Sequence, residues 1–325
     1  MTTNLPNPDE QQIIAWSDGL TKDFGGGTGV MDLTLKIPRG AIFGLIGPSG
    51  CGKTTTVRLL LGIYRPTSGR AEVFGREPQH FSMEDREKIG YMPQLFMLQP
   101  GLSVWQNLSF AASLYGMSLN RSARLEEMLE LVELDGHEHK RARNLSGGMQ
   151  RRLSLAASLV HEPEMVFLDE PTGGIDPVLR RKFWDFFQEL KAQGCTLVVT
   201  TQYVSEAAYC DYVAVMSEGR LLMVETPENL KRVGMGGEVI DLRFDGFISQ
   251  PQMQALRQQP FVQGAKAQIL DDLSLEIIVD DAAEAMPALL RWCEQNQIVV
   301  QEASKVEPTF DDVFVKVIEE HRSHA

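Results

Sequence analysis

Residues 47–54 read Gly47-Pro48-Ser49-Gly50-Cys51-Gly52-Lys53-Thr54, and this stretch decides the fold. It follows the apolar run 41–46, which predicts a buried strand, and it precedes residues 55–61, which predict a helix. A glycine-rich loop in this setting turns backbone N–H groups inward, and the helix N-terminus adds partial positive charge. The sequence therefore predicts a phosphate-binding loop and a site for a nucleoside triphosphate.

Two polar side chains of this loop have distinct expected roles. Lys53 can reach the β- and γ-phosphates, and the Thr54 hydroxyl can bind Mg²⁺.

A second motif, residues 145–152, is polar and glycine-rich and runs into a helical pattern. The apolar run that follows ends in Asp169 and Glu170. Because ligands bind at the carboxyl ends of parallel strands, Asp169 is expected to hold Mg²⁺ and Glu170 to polarise the attacking water.

With these motifs in this order, the chain resembles the ATP-binding cassette family, the nucleotide-binding subunits of ABC transporters. The resemblance covers residues 10–235 and implies ATP and Mg²⁺ as ligands. It implies an α/β fold, a P-loop cassette with a central mixed or parallel sheet and a helical subdomain at about 95–160. A small α+β domain, for which a ferredoxin-like sandwich is expected, follows at 236–325. Residues 1–9 are expected to be a flexible tail.

The resemblance extends to further positions. Gln94 matches the family's Q-loop glutamine, which touches Mg²⁺ and the water and senses the transmembrane partner, and Asp176 matches the D-loop aspartate. Phe24 matches the aromatic ring that stacks on adenine, with Trp16 as an alternative. The expected ATP contacts are Phe24, Gly47, Pro48, Ser49, Gly50, Cys51, Gly52, Lys53, Thr54 and Thr55. The expected catalytic residues are Lys53, Gln94, Glu170 and Gln202, and the expected metal ligands are Thr54, Gln94 and Asp169.

In this family two cassettes pair head to tail, so that the signature motif of each (within residues 145–152 here) contacts the ATP bound to its partner. Here the groups implied to act on a partner's ATP are Ser146, Gly147, Gly148, Gln150 and Asp176. The partner is expected to be a second copy of this chain, although a different cassette would supply the same groups.

One position departs from the family's pattern. Most members carry a histidine after the strand 196–199, where this chain has Gln202. An amide can donate a hydrogen bond to a phosphate oxygen, but it cannot take a proton, so Glu170 is left as the general base. Hydrolysis is nevertheless expected. In carrying this substitution, the chain resembles one subgroup of the family, the ATPases of bacterial drug and antibiotic exporters.

Composition narrows the class of partner. The 325 residues carry a net charge of −13, which argues against nucleic-acid binding. The cysteines show no C-x-x-C spacing, and no secretory signal precedes them, which favours a reduced cytosol.

No run approaches the roughly 18 apolar residues of a spanning helix, so a permease is expected to be a separate chain. The implied location is the cytoplasmic face of the inner membrane.

The permease is expected to dock on residues 95–105, which are unusually apolar for a loop, although packing inside the helical subdomain explains each residue equally well. The alternative function is a soluble or regulatory cassette ATPase that does not serve transport. Intact Lys53, Asp169 and Glu170 favour the transporter ATPase over a purely regulatory subunit.

Overall fold

The computed structural model describes residues 13–262, 267–271 and 273–324. Internal contacts divide the chain into two compact units, Met1–Thr226 and Pro227–Ala325. The division falls earlier than the predicted residue 235, because the helix that begins at Pro227 packs on the last helix of the second unit. The tail predicted at residues 1–9 lies outside the described residues.

A six-stranded sheet forms the centre of the first unit. In sheet order its strands are β5 (Ile89–Met92), β6 (Met165–Asp169), β7 (Thr196–Thr201), β3 (Ile42–Ile46), β8 (Tyr212–Ser217) and β9 (Arg220–Glu225). Neighbours are parallel except β8 and β9. Every residue of β3 and β6 is buried, as expected for parallel strands covered on both faces. The carboxyl ends of β6, β7 and β3 therefore meet at one edge.

A smaller antiparallel sheet packs on the same core. Its strands are β1 (Ile13–Asp23), β2 (Gly29–Pro38) and β4 (Ser68–Val73), in the order β2-β1-β4. The hairpin between β1 and β2 approaches the phosphate-binding loop closely. A Cβ added at Gly52 would lie 2.9 Å from Val30 Cγ2 and 3.2 Å from the Gly29 carbonyl oxygen. This contact places residues 24–29 beside the loop.

The helices of the first unit are α1 (Lys53–Leu60), α2 (Met83–Glu87), α3 (Val104–Leu114), α4 (Ser122–Leu131), α5 (Gly147–Leu159) and α6 (Pro177–Ala192). Helices α3, α4 and α5 pack on one another, within the span predicted for the helical subdomain. Ser103 begins α3 with a reciprocal capping box to Gln106. No helix among the described residues combines the length and apolar composition needed to cross a bilayer.

The second unit contains α7 (Pro227–Met235), β10 (Glu238–Phe244), α8 (Gln250–Arg257), β11 (Ala267–Asp271), β12 (Ser274–Val279), α9 (Ala282–Gln295), β13 (Val300–Val306) and α10 (Phe310–His324). Its sheet order is β11-β12-β10-β13 with antiparallel neighbours, the order of a ferredoxin-like sandwich. A Cβ on Gly234 would lie 2.5 Å from Val313 Cγ1. Glycine at this position thus allows α7 and α10 to approach closely.

One strand of this unit begins later than its apolar residues indicate. The apolar run Ile298 to Val300 predicts a strand, whereas β13 begins at Val300. The Ile298 N–H donates to the Cys293 carbonyl, and Gln297 has a φ of 56°. Ile298 therefore belongs to the turn that ends α9, and the strand starts after it.

Candidate active site

The phosphate-binding loop connects the buried strand β3 to α1, as the sequence predicts. Gly50 and Gly52 have φ of 80° and 106°, a left-handed backbone that suits glycine. At Gly47 a Cβ would lie 2.3 Å from the Met216 carbonyl oxygen, so the loop can pass β8 only without a side chain. The glycines therefore let the backbone turn tightly between β3 and α1.

Lys53 is buried and points back into its own loop. Its ammonium donates to the carbonyls of Gly47 at 2.7 Å and Pro48 at 3.0 Å. The positive charge thus lies inside the curve of the loop. Cys51 is buried beside it, and burial raises the pKa of this thiol. A buried thiol with a raised pKa reacts slowly, so Cys51 acts as a small packing residue.

A cavity of about 260 Å³ opens at this loop. It is lined by Phe24, Thr28, Gly29, Ser49, Gly50, Gly52, Lys53, Thr54, Thr55, Gln94 and Glu170. Gly47, Pro48 and Cys51 lie in the loop but are not among the lining residues. The cavity brings together predicted groups from the loop, the hairpin, the segment after β5 and the end of β6.

Asp169, the last residue of β6, is fully buried at the edge of this site. Its Oδ1 accepts hydrogen bonds from Thr54 Oγ1 at 3.0 Å and Thr200 Oγ1 at 2.5 Å. Its Oδ2 has no hydrogen-bond partner among the described residues. A buried carboxylate oxygen without a partner is costly, and with the Thr54 hydroxyl it forms a hard oxygen donor set. The residues present therefore fit a divalent cation such as Mg²⁺.

Glu170 follows Asp169 and points into the cavity. Its backbone has a φ of 53°, a left-handed conformation that is uncommon for a non-glycine residue. Gln94 Nε2 donates to Glu170 Oε2 at 3.1 Å. Strained backbone at the end of a strand often marks a functional residue. The carboxylate is thus held by one amide and otherwise open to the cavity.

Phe24 and Trp16, the two candidates for stacking on adenine, lie in different surroundings. Phe24 lines the cavity and is 52% exposed, in a T-shaped contact with Tyr64 and with the Lys22 ammonium 5.4 Å from its ring centroid. Trp16 lies within β1, under the guanidinium of Arg70 at 5.0 Å, and does not line the cavity. This geometry favours Phe24 for base stacking.

Gln202 lies apart from the cavity-lining residues. It follows β7 and its side chain is exposed. The neighbouring Thr200 and Thr201 are buried at the end of the strand. A contact between Gln202 and a bound phosphate stays a prediction.

The predicted partner-facing residues also lie outside the cavity. Ser146 caps α5 by accepting from the Met149 N–H, and Asp176 caps α6 by accepting from two N–H groups. These backbone hydrogen bonds, led by the one from Leu179, lower the pKa of Asp176. Gln150 Nε2 donates to the Ala142 carbonyl at 3.1 Å.

Gly147 and Gly148 leave space around α5. A Cβ on Gly147 would meet nothing within 4 Å, and one on Gly148 would first meet the Gly174 oxygen at 4.0 Å. In one chain these groups therefore form an open surface, not a pocket.

The segment proposed for docking is partly exposed. Leu95 and Met97 are each 70% exposed, whereas Val104 is buried and Trp105 is half-buried. Exposure, which docking requires, is thus found at the first residues of the segment, and burial at Val104. The exposed apolar side chains stand just after Gln94, and the later ones belong to the core of the helical group.

Sequence reasoning missed several residues of the site. Thr200 holds Asp169, and Thr28 and Gly29 line the cavity. A polar residue at the end of the buried strand 196–201 was the available signal for Thr200. Arg151 Nη1 donates to the Gly173 carbonyl at 2.7 Å, which joins α5 to the loop before α6. No spacing rule indicates that contact.

Comparisons with known proteins agree with this geometry. The family model for ABC transporters matches residues 30–173. The chain is 39% identical to the probable multidrug ABC transporter ATP-binding protein YbhF of Escherichia coli over 223 residues, 68% of this chain but only 39% of YbhF. It is 36% identical to the daunorubicin resistance ATP-binding protein DrrA3 of Streptomyces coeruleorubidus over 309 residues, 94% of this chain and 96% of that relative.

A solved structure supports the fold. The cbiO1 protein of Clostridium perfringens, described as part of the ABC transporter complex cbiONQ, matches with a TM-score of 0.59 and 29% identity. The match covers 67% of this chain and 90% of cbiO1. The chain thus spans about two fifths of YbhF, nearly all of DrrA3 and most of cbiO1.

Proposed function

The chain belongs to the ABC transporter family, and we propose that it powers a separate membrane permease of an exporter. As a cassette ATPase of this family it binds ATP and hydrolyses it to ADP and phosphate. The observation that carries the proposal is the cavity that joins Lys53, Thr54, Gln94 and Glu170 beside the half-exposed ring of Phe24. This arrangement offers a phosphate cradle, a base and a stacking surface in one place.

In this proposal the loop residues bind the triphosphate. Backbone N–H groups of residues 49–55 and the start of α1 face the phosphates, and Lys53 neutralises their charge. Phe24 stacks on adenine. Thr54, Asp169 and Gln94 would hold Mg²⁺, which supplies charge neutralisation on the phosphate oxygens. The buried, unpartnered Oδ2 of Asp169 supports this assignment.

Glu170 is proposed as the general base. Its carboxylate accepts a proton from the water that attacks the γ-phosphorus, while the bond to the β-phosphate oxygen breaks and ADP leaves. Gln94, at 3.1 Å from the carboxylate, orients both the base and the water. Gln202 would at most donate a hydrogen bond to a phosphate oxygen, because an amide cannot take the proton.

A second cassette is proposed to complete the site. Ser146, Gly147, Gly148, Gln150 and Asp176 lie outside the chain's own cavity. The open space around Gly147 and Gly148 suits the approach of a partner's nucleotide. We take the partner to be a second copy of this chain, and ATP then favours the closed pair because it binds that form best.

The permease partner and the direction of transport rest on relatives. YbhF is named a probable multidrug transporter component and DrrA3 a daunorubicin resistance protein, which supports export. Leu95 and Met97, exposed just after Gln94, are proposed to contact the permease on the cytoplasmic side of the membrane. In that position the permease would adjoin the residue that touches Glu170.

The test is Mg-ATP hydrolysis by wild type and Glu170→Gln, measured with and without the membrane fraction. The proposal expects activity that disappears in the variant and rises with a co-purifying membrane chain. Wild-type hydrolysis that is indifferent to membrane chains, with none co-purifying, would instead support a soluble ATPase. ATP binding without any hydrolysis would support a regulatory subunit.

A further inference from the structure

A buried carboxylate outside the cavity is unused by the mechanism above. Glu206 is 1% exposed, and neither carboxylate oxygen has a hydrogen-bond partner among the described residues. The ion pair to Arg180 joins Nε to Oε1 at 3.8 Å, which is beyond hydrogen-bond distance. Burying a charge with so few partners is expensive. Stability alone therefore gives no reason for a glutamate here, since apolar side chains of similar size would serve as well.

Arg180 contacts two loops at once. Its guanidinium lies over the ring of Tyr203, 4.6 Å from the centroid, and Nη2 donates to the Ile175 carbonyl at 3.4 Å. Tyr203 follows Gln202, and Ile175 precedes Asp176. The arginine thus links the loop after β7 to the loop that begins α6.

The same face of α6 carries further contacts to residues 203–211. Trp184 stacks on Tyr209 with ring centroids 5.0 Å apart, and Gln188 Nε2 donates to the Tyr209 carbonyl at 2.8 Å. Lys191 pairs with Asp211 at 2.7 Å. These contacts anchor residues 209–211, the end of the segment 203–211 that lies farther along the chain. Arg180 and Glu206 form the end nearest the two loops.

We infer that Arg180 and Glu206 are positioning residues that hold the Gln202 loop and the Asp176 loop in a fixed relation. The Glu206 carboxylate attracts the guanidinium across 3.8 Å, and the guanidinium contacts both loops. A displacement of Asp176 on engagement with a second cassette is then transmitted to Gln202 and to Thr200, which holds Asp169. This inference rests on the proposed function, because it concerns the same reaction.

The test compares Arg180→Met, Arg180→Lys and Glu206→Gln with Lys191→Met, which removes an ion pair between the same two segments farther from the loops. We expect the Arg180→Met and Glu206→Gln variants to lower kcat roughly ten- to hundred-fold with little change in KM for ATP, because misplaced catalytic groups slow the chemical step. Arg180→Lys should recover part of kcat, since it keeps the charge. Lys191→Met should leave kcat unchanged.

A double variant separates positioning from stability. Arg180→Met with Glu206→Leu replaces the buried pair by apolar groups, so its melting temperature should stay near that of wild type. The inference expects its kcat to stay low. A kcat that returns with the melting temperature would show that the pair is only structural and would overturn the inference.

A mutant cycle with Asp176→Ala adds a second readout. If Arg180 acts on the Asp176 loop, the effects of Arg180→Met and Asp176→Ala on log kcat are not additive, whereas those of Lys191→Met and Asp176→Ala are. Additivity in both pairs would contradict the inference. Wild-type activity that is lost in Glu170→Gln keeps the proposed function intact whichever way these variants behave.

Discussion

Predicted site residues lie in two regions, the cavity at the phosphate-binding loop and the exposed start of α5. The two regions differ in the partners to which their side chains are hydrogen-bonded. In the cavity the groups bond to one another: Thr54 to Asp169, and Gln94 to Glu170. At α5 and α6, the side chains of Ser146 and Asp176 accept hydrogen bonds from N–H groups of their own helices. One chain thus holds a connected half of a site and an open half. Side-chain geometry within one chain therefore identifies the first half, whereas completion of the second half by another cassette is the proposal that the following variants test.

Glu170→Gln gives the largest expected effect on this comparison. The amide keeps the shape and can still accept from Gln94, but it cannot take a proton. We expect kcat to fall on the order of 10²–10⁴-fold, measured by phosphate release, with ATP binding preserved. With ATP present the variant should remain dimeric by light scattering. A monomer under those conditions would count heavily against the two halves meeting.

Gly148→Asp tests the open half. The added side chain has free space within the chain, so folding and ATP binding by the single subunit should be retained. The carboxylate would face the partner's phosphates, and turnover is expected to drop roughly 10²-fold. Fluorescent-nucleotide titration and phosphate release measure the two effects.

Gly148→Ala is the matched control, since it adds only a methyl group and should lose much less activity. If Gly148→Asp turned over ATP at the wild-type rate, α5 would not face a nucleotide.

Phe24→Ala tests whether this ring of the cavity stacks on adenine. Loss of base stacking should raise KM for ATP about ten-fold, since one stacked base is worth roughly 1–3 kcal/mol. The kcat should change little, because the ring is proposed to contact the base and not the reacting phosphate. Trp16→Ala serves as the control and should leave KM unchanged. The reverse result would assign adenine stacking to Trp16.

Gln202→Ala is expected to give the smallest effect. The side chain is exposed and outside the cavity, so its contribution is that of one neutral hydrogen bond at most. We expect kcat to fall roughly two- to ten-fold. Unchanged turnover would show that the residue is dispensable, and a loss as large as that of Glu170→Gln would place Gln202 within the first half.

Much of the site could be predicted because its chemistry is local in sequence. Lys53 and Thr54 belong to one loop, and Asp169 and Glu170 end one strand, so neighbouring residues carry the signal. Thr200 could not be found in the same way. Its bond to Asp169 depends on the parallel register of β6 and β7, which pairs these two residues across the sheet.

Other positions also depend on contacts that the sequence does not display. Ile298 is apolar and follows a helix, but a hydrogen bond to Cys293 keeps it in the helix-ending turn. For residues 95–105 the sequence left docking and packing open, and the structure shows Leu95 and Met97 exposed and Val104 buried. Leu95, Met97 and Val104 are all apolar, so hydrophobicity alone does not distinguish the exposed positions from the buried one. Position in the tertiary structure separates them.

The close approach of α7 and α10 at Gly234 has a consequence for synthesis. These helices are the first and last elements of the second unit, and β13 near its end pairs with β10 near its start. The unit cannot close until its final helix has left the ribosome. The first unit has its sheets complete by Glu225 and can fold while the rest is being translated. The ATPase core is therefore expected to mature earlier than the domain attached to it.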